Sequence, residues 1–215
     1  MTVAALFSAG KDSALAALLL DPFYDVVLCH CTFGVDVASR GDSSGQETPP
    51  TDVAASAADA LDLPFAAVEL APSVAEQAVE RMVADGYPRE GIQQVHEHAL
   101  EAVAGRDRLA GRELTALADG TRRDDRVPAV DRPVAQSLED RHEVDYVRPL
   151  AGYGRGAVDD LVGRLLRVET GPSDRIATAD YETELRALIA REYGSETVAA
   201  IFPAHTQSRV VGRRE

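Results

Sequence analysis

Ser8-Ala9-Gly10-Lys11-Asp12-Ser13 sets two hydroxyls, a glycine, an ammonium and a carboxylate side by side. An apolar run from Thr2 to Phe7 leads in, and an Ala/Leu stretch leads out. A bend between a strand and a helix N-terminus aims several backbone N–H groups at one point, where the helix dipole adds partial positive charge. Gly10 lets the backbone bend and an anion approach closely. Ser8 and Ser13 add hydroxyl donors and Lys11 adds a full charge, so the stretch reads as a phosphate cradle. Alone, it also suits a polar turn with Asp12 or Ser13 as helix cap. Lys11 is the only lysine in the chain, and its place after the first strand favours the cradle. The loop is not a Walker A loop: Ala5 stands where that pattern needs glycine, and Asp12 where it needs Ser or Thr.

Other reactive residues carry weaker patterns. Cys29-His30-Cys31 lies at the end of a β-branched run, so the two thiols share one face and His30 takes the other. That arrangement does not bring three ligands to one metal. The thiols fit a buried strand better than a sulfur carrier. His96 and His98 sit about 200° apart on a helix, do not chelate together, and are expected at the surface. Asp119-Gly120-Thr121-Arg122-Arg123-Asp124-Asp125 reads as a charged turn after a strand. Arg209, Arg213 and Arg214 form a basic C-terminal tail, suited to a phosphate backbone or to reaching the active site, and equally to a frayed terminus.

The elements that must position these residues alternate. Strands are expected at 2–7, 25–32, 65–70, 113–118 and 145–148. Helices are expected at 13–20, 52–61, 74–85, 89–103, 133–141, 156–166 and 179–193, the last the clearest amphipathic one, with Thr178 as its cap. Residues 33–50 read as a long polar loop of functional type. The alternation predicts an α/β fold: a three-layer α/β/α domain, Rossmann-like, with a mainly parallel sheet of about five strands. A C-terminal helical extension follows, giving an organisation of 1–167 and 168–215. In such sheets the ligand site lies beyond the C-terminal strand ends.

Composition sets further bounds. With 36 acidic against 22 basic residues the net charge is −14, and no tryptophan is present. Such a surface stays hydrated and repels nucleic acid at low salt. Acid excess with arginine in place of lysine resembles the cytoplasmic proteins of extremely halophilic archaea. No signal-type segment is visible and no apolar run reaches about 18 residues. The chain is therefore expected to be soluble and cytoplasmic, with no membrane partner.

At residues 8–13 the sequence resembles the PP-loop ATP pyrophosphatases, the adenine nucleotide alpha-hydrolase-like superfamily. Their signature is Ser-Gly-Gly-x-Asp-Ser, and Ala9 replaces the first glycine, a change that costs little if Ala9 keeps φ below zero. The resemblance continues at Gly120-Thr121 with the acids after it, and at Arg148-Pro149-Leu150, covering about residues 1 to 167. It implies ATP and Mg²⁺ as cofactors, cleavage between the α and β phosphates, and an adenylated substrate that a nitrogen or sulfur nucleophile then releases from AMP. It implies that Ser8, Ala9, Gly10, Lys11 and Ser13 hold pyrophosphate, that Gly120 and Thr121 lie against the nucleotide, and that Lys11, Asp12 and Ser13 are the catalytic set. Asp12, or Asp124 and Asp125, would ligate Mg²⁺. The substrate expected from it is a tRNA base, in a thiolation-type modification. The alternatives are carboxylate amidation and a non-catalytic nucleotide sensor.

Overall fold

The structure, a computed structural model, describes residues 1–37, 48–173 and 175–214. Its central sheet has the order β3-β2-β1-β6-β7 and is parallel throughout. The strands are β1 (Thr2–Leu6), β2 (Asp25–Thr32), β3 (Phe65–Glu69), β6 (Ala116–Ala118) and β7 (Asp145–Val147). All five residues of β1 are buried, as a central parallel strand covered on both faces requires. Its side chains alternate between two cores: Ala4 and Leu6 face one, Val3, Ala5 and Phe7 the other.

One face packs against α3 (Pro72–Asp85), α4 (Arg89–Ala104), α5 (Arg132–His142), α7 (Tyr181–Tyr193) and α8 (Ser195–Ile201). The other packs against α1 (Lys11–Leu20), α2 (Pro50–Ala60) and α6 (Arg155–Leu165). The three-layer α/β/α expectation is met. Local signals explain the helix ends: Pro50 and Pro72 open α2 and α3, and Gly86, at φ 64°, closes α3 in the left-handed region. Asp180, not Thr178, caps α7, its carboxylate accepting from Thr183 N at 3.0 Å. The expected strand 113–118 divides: β5 (Arg112–Glu113) pairs with β4 (Arg108–Leu109) in a small hairpin, and only β6 enters the sheet.

The C-terminal stretch holds its helices, α7 and α8, and adds what the sequence did not suggest. Strand β8 (Leu166–Pro172) pairs antiparallel with β9 (Thr206–Arg213). Residues 206–213, read as a basic tail, are thus a ribbon strand. Residues after 167 contribute to both cores: Leu185, Leu188 and Ile201 are buried in one and Val210 in the other. Of the long loop 33–50, residues 38–47 lie outside the described residues. Among the described residues no helix is long and apolar enough to cross a membrane.

Candidate functional site

The strand order reverses between β1 and β6: the chain grows outward through β2 and β3, then returns to the other side of β1. Ligand crevices of open α/β sheets form at this point. Here it is walled by the loop after β1, residues 7–10, and by the turn after β6, residues 119–125.

Gly10 is the N-cap of α1, and no side chain caps that helix. The polar-turn reading, with Asp12 or Ser13 as cap, is therefore not realised, and apart from Lys11 N the first-turn N–H groups are left to a ligand or water. Ser13 Oγ donates to Gly10 O at 3.1 Å and accepts from Ser8 N at 3.3 Å, holding the bend closed. Ala9 sits at φ 58°, contrary to the expectation of a negative φ. A non-glycine residue there costs about 1–2 kcal/mol, and the buried methyl of Ala9, packed in the core with α1, offsets part of it. Tertiary bonds also hold it, with Val210 N donating to Ala9 O at 2.8 Å and Ala179 N to Ser8 O at 3.1 Å. Lys11 N donates to Ser208 Oγ at 3.4 Å. The C-terminal ribbon clasps the loop.

Every cation at the loop already faces carboxylates. Lys11 forms a salt bridge with Asp159 of α6, and its Nζ is 3.4 Å from Asp12 Oδ1. Lys11 holds the Asp159 carboxyl below its usual range. Arg122 reaches Asp12 at 3.3 Å, Asp124 at 3.6 Å and Asp125 at 2.5 Å. The three aspartates expected as metal ligands therefore converge on a guanidinium. Among the described residues no group of three His, Cys, Asp or Glu side chains forms a metal site. Asp12 alone keeps a buried oxygen, Oδ1, without a hydrogen-bond donor.

Two cavities meet at Ser8, Asp12, Ser13 and Asp180. The smaller, about 360 Å³, is lined by Gly10, Lys11, Arg122, Arg155, Gln207 and Ser208 among others. The larger, about 490 Å³, runs over the ends of β1, β2 and β6 to α4 and α7, with Arg89 and Arg126 among the residues lining it. Gly120 joins the two walls. A Cβ there would lie 2.7 Å from Ser13 N and 2.9 Å from Asp12 C, all backbone. Gly120→Ala is expected to destabilise the fold by roughly 3 kcal/mol and to abolish ligand binding at the loop. A urea midpoint equal to wild type would remove that close approach as a constraint.

The wall of the larger cavity carries a buried charge network. Asp119 Oδ2 bonds His96 Nε2 at 3.0 Å and also accepts from Tyr146 Oη, while Thr121 N and Oγ1 donate to Oδ1 at 2.9 and 2.6 Å. These donors outweigh burial and hold the Asp119 carboxyl at about 2. His96 is 4% exposed, which corrects its expected surface position. The signal was available: His96, Ala99, Leu100 and Val103 lie at helical spacing on one buried stripe. Asp119, Tyr181 and Glu182 were also missed as cavity-lining residues. Glu182 and Tyr181 are both pushed up by burial. His30 lies on the opposite strand face from the thiols; the carbonyls of Phe7 and Ala179 lie near its ring, but among the described residues neither ring nitrogen meets a partner in good hydrogen-bond geometry. Cys29 and Cys31 are free and buried, as expected of a strand interior.

The tail arginines are spent on the fold. Arg213 Nε donates to Leu61 O and its Nη1 to Asp21; Arg214 Nε donates to Leu166 O; Arg209 donates to Glu169.

A parallel α/β sheet with a glycine-bearing loop and paired cavities at its switch point defines a Rossmann-like protein with a ligand cleft at the C-terminal strand edge. The chain belongs to the family of unknown function DUF7411, whose model matches residues 1–212. It is 35% identical over 216 residues to MJ0690 of Methanocaldococcus jannaschii, covering 100% of this chain and 98% of that protein. A crystal structure from the same organism, described as a predicted subunit of tRNA methyltransferase, superposes with a TM-score of 0.83 at 33% identity, covering 100% of this chain and 99% of that one. The U34-tRNA thiolase NcsA of Methanococcus maripaludis aligns with a TM-score of 0.47 at 14% identity, over 94% of this chain and 69% of that one.

Proposed function

We propose that the chain is an ATP-dependent adenylating enzyme that cleaves ATP to AMP and pyrophosphate and acts on tRNA. The observation that carries the reading is the uncapped N-terminus of α1, with Gly10 at its start, lining a cavity with Lys11, Arg122 and Arg155. Backbone N–H groups, a helix dipole and three cations in one concave site suit a pyrophosphate group. Gly120 and Thr121 form the other wall, against the nucleotide. The carboxylates now facing Lys11 and Arg122 exchange places with phosphate oxygens when nucleotide binds.

Mg²⁺ fits this site through Asp12, whose Oδ1 is buried without a donor. Mg²⁺ is commonly held by one or two carboxylates together with substrate phosphates. Asp125 is committed to Arg122 and Asp124 accepts from Arg155 N at 3.1 Å, whereas Asp12 has only the longer contacts with Lys11 at 3.4 Å and Arg122 at 3.3 Å, which makes it the ligand of choice. Bound there, the ion would neutralise charge on the phosphates. Lys11 and Ser13 hold the leaving pyrophosphate, and Asp12 is the residue that would hold the ion.

Two observations support tRNA as the substrate: the tRNA methyltransferase description carried by the similar crystal structure, and exposed arginines at the mouth of the larger cavity. Arg89 and Arg126 line that cavity and are exposed, so they replace the C-terminal arginines as the groups facing RNA phosphates.

ATP–pyrophosphate exchange tests the reading, together with mass spectrometry of tRNA nucleosides from a strain lacking the protein. One missing modified nucleoside is expected. Nucleotide affinity without exchange would make the chain a binding module instead. Lys11→Ala is expected to slow pyrophosphate release about 10²–10³-fold while moving Tm by only a few degrees, because its partner Asp159 is half exposed. An unchanged exchange rate in that variant would take the lysine out of the mechanism.

A further inference from the structure

We propose that His96 is the general base of this site, taking the proton from the nucleophile that displaces AMP from the activated substrate. The inference rests on the adenylation reading and assigns the second half of that reaction to a residue outside the phosphate loop.

Geometry fixes the role. Asp119 is 2% exposed and accepts from Thr121 N, Thr121 Oγ1 and Tyr146 Oη. An ionised carboxylate is acceptor-only, so the 3.0 Å contact with His96 Nε2 makes that nitrogen the N–H. In the neutral imidazole the lone pair is then on Nδ1, which has no partner among the described residues. His96 lines the larger cavity together with Asp12 and Ser13. The edge of the Tyr181 ring lies against the imidazole, centroids 6.2 Å apart, and helps to fix its plane. A carboxylate that sets the tautomer of a histidine, which then presents its second nitrogen to a cavity, is the arrangement of a base and its orienting group. The turn ties this pair to the cradle, since Asp119 immediately precedes Gly120, which packs on the backbone of Asp12 and Ser13.

The step balances without another reagent. A nitrogen or sulfur nucleophile bearing hydrogen forms its bond to the activated carbon, its proton passes to Nδ1, and the carbon–oxygen bond to AMP breaks with its electron pair leaving on AMP. Titratable groups sharing the wall include Asp119 on the sheet side, Asp12 on α1, Arg89 on α4, Asp180 and Glu182 at the start of α7, and Arg126 on the turn.

The test uses the full chain, radiolabelled ATP and tRNA from a strain lacking the protein. In His96→Gln the amide keeps a donor toward Asp119 but offers no basic nitrogen. Pyrophosphate exchange is expected within about twofold of wild type, transfer is expected to fall about 10²–10⁴-fold, and adenylated tRNA accumulates. Transfer at the wild-type rate, or exchange falling as far as transfer, overturns the assignment. Wild-type protein without exchange refutes the adenylation reading itself and the base with it. Independently of any variant, ¹⁵N spectra of the wild-type histidines are expected to show a pyrrole-type Nε2 and a pyridine-type Nδ1 for the neutral imidazole of His96. The reverse tautomer overturns the proposal.

Discussion

Removing residues 206–214 leaves a chain that no longer unfolds cooperatively. Strand β9 pairs with β8 from Leu166↔Arg213 to Pro172↔Thr206. Deleting it leaves the backbone groups of β8 without partners and uncovers the core around Val210, itself 1% exposed. It also removes the bond from Val210 N to Ala9 O and both bonds of Arg213, to Leu61 O and Asp21. Each buried hydrogen bond lost costs about 1–3 kcal/mol when a partner stays unsatisfied, against a total stability of about 5–15 kcal/mol for a domain. Circular dichroism during urea titration measures the outcome. A truncated chain with the wild-type midpoint would show that the ribbon is an ornament on a finished fold, and would return the tail to solvent.

His30 makes the fold sensitive to acid. Burial lowers its imidazole from 6.5 to about 4, and the carbonyls of Phe7 and Ala179 restore only part of that. The unfolded chain therefore binds a proton below about pH 6.5 while the native chain does not, so stability is full above that pH and falls as acid is added. The difference amounts to roughly 3 kcal/mol by pH 4. Asp119, lowered from 3.8 to about 2, takes over below: its contribution is present above about pH 4 and is lost as the pH falls through 2. Glu184, pushed up by burial although Thr32 and the amides of Phe33 and Val35 donate to it, works in the opposite direction and softens the slope. In His30→Leu the two unpartnered ring nitrogens disappear. That variant is expected to gain about 1–3 kcal/mol at pH 7 and to lose the decline between pH 6.5 and 4.5. Urea unfolding at three pH values separates the cases, and an unaltered decline would assign the acid sensitivity to other groups.

Most of the sheet was legible because its signals are local. DVVLCHCT is a continuous β-branched and apolar run, and it folds as β2 with the expected ends. The helices followed from apolar spacing and from proline at their starts. The ribbon β8–β9 was not legible, because its strands carry mixed polar residues and Leu166 pairs with Arg213 across the connection that carries α7 and α8. Nothing in TQSRVVGR names its partner. His96 was misread by comparing it with His98 instead of with Ala99, Leu100 and Val103. The residues of the loop after β1 stand out in the sequence by glycine, lysine and the hydroxyls. Their internal carboxylates do not, since Asp159 is brought to Lys11 only by the packing of α6 on α1.

The clasp between Ser208 and Lys11 spans 197 positions of chain. A ribosome therefore makes the loop after β1 long before it makes the strand that closes it. During synthesis Ala9 has no Val210 to hold its carbonyl, and α1 has no neighbour across the bend. Nascent chains halted before residue 206 should be open to protease at residues 8–13, and the loop takes its settled shape only when β9 emerges and folds back over it.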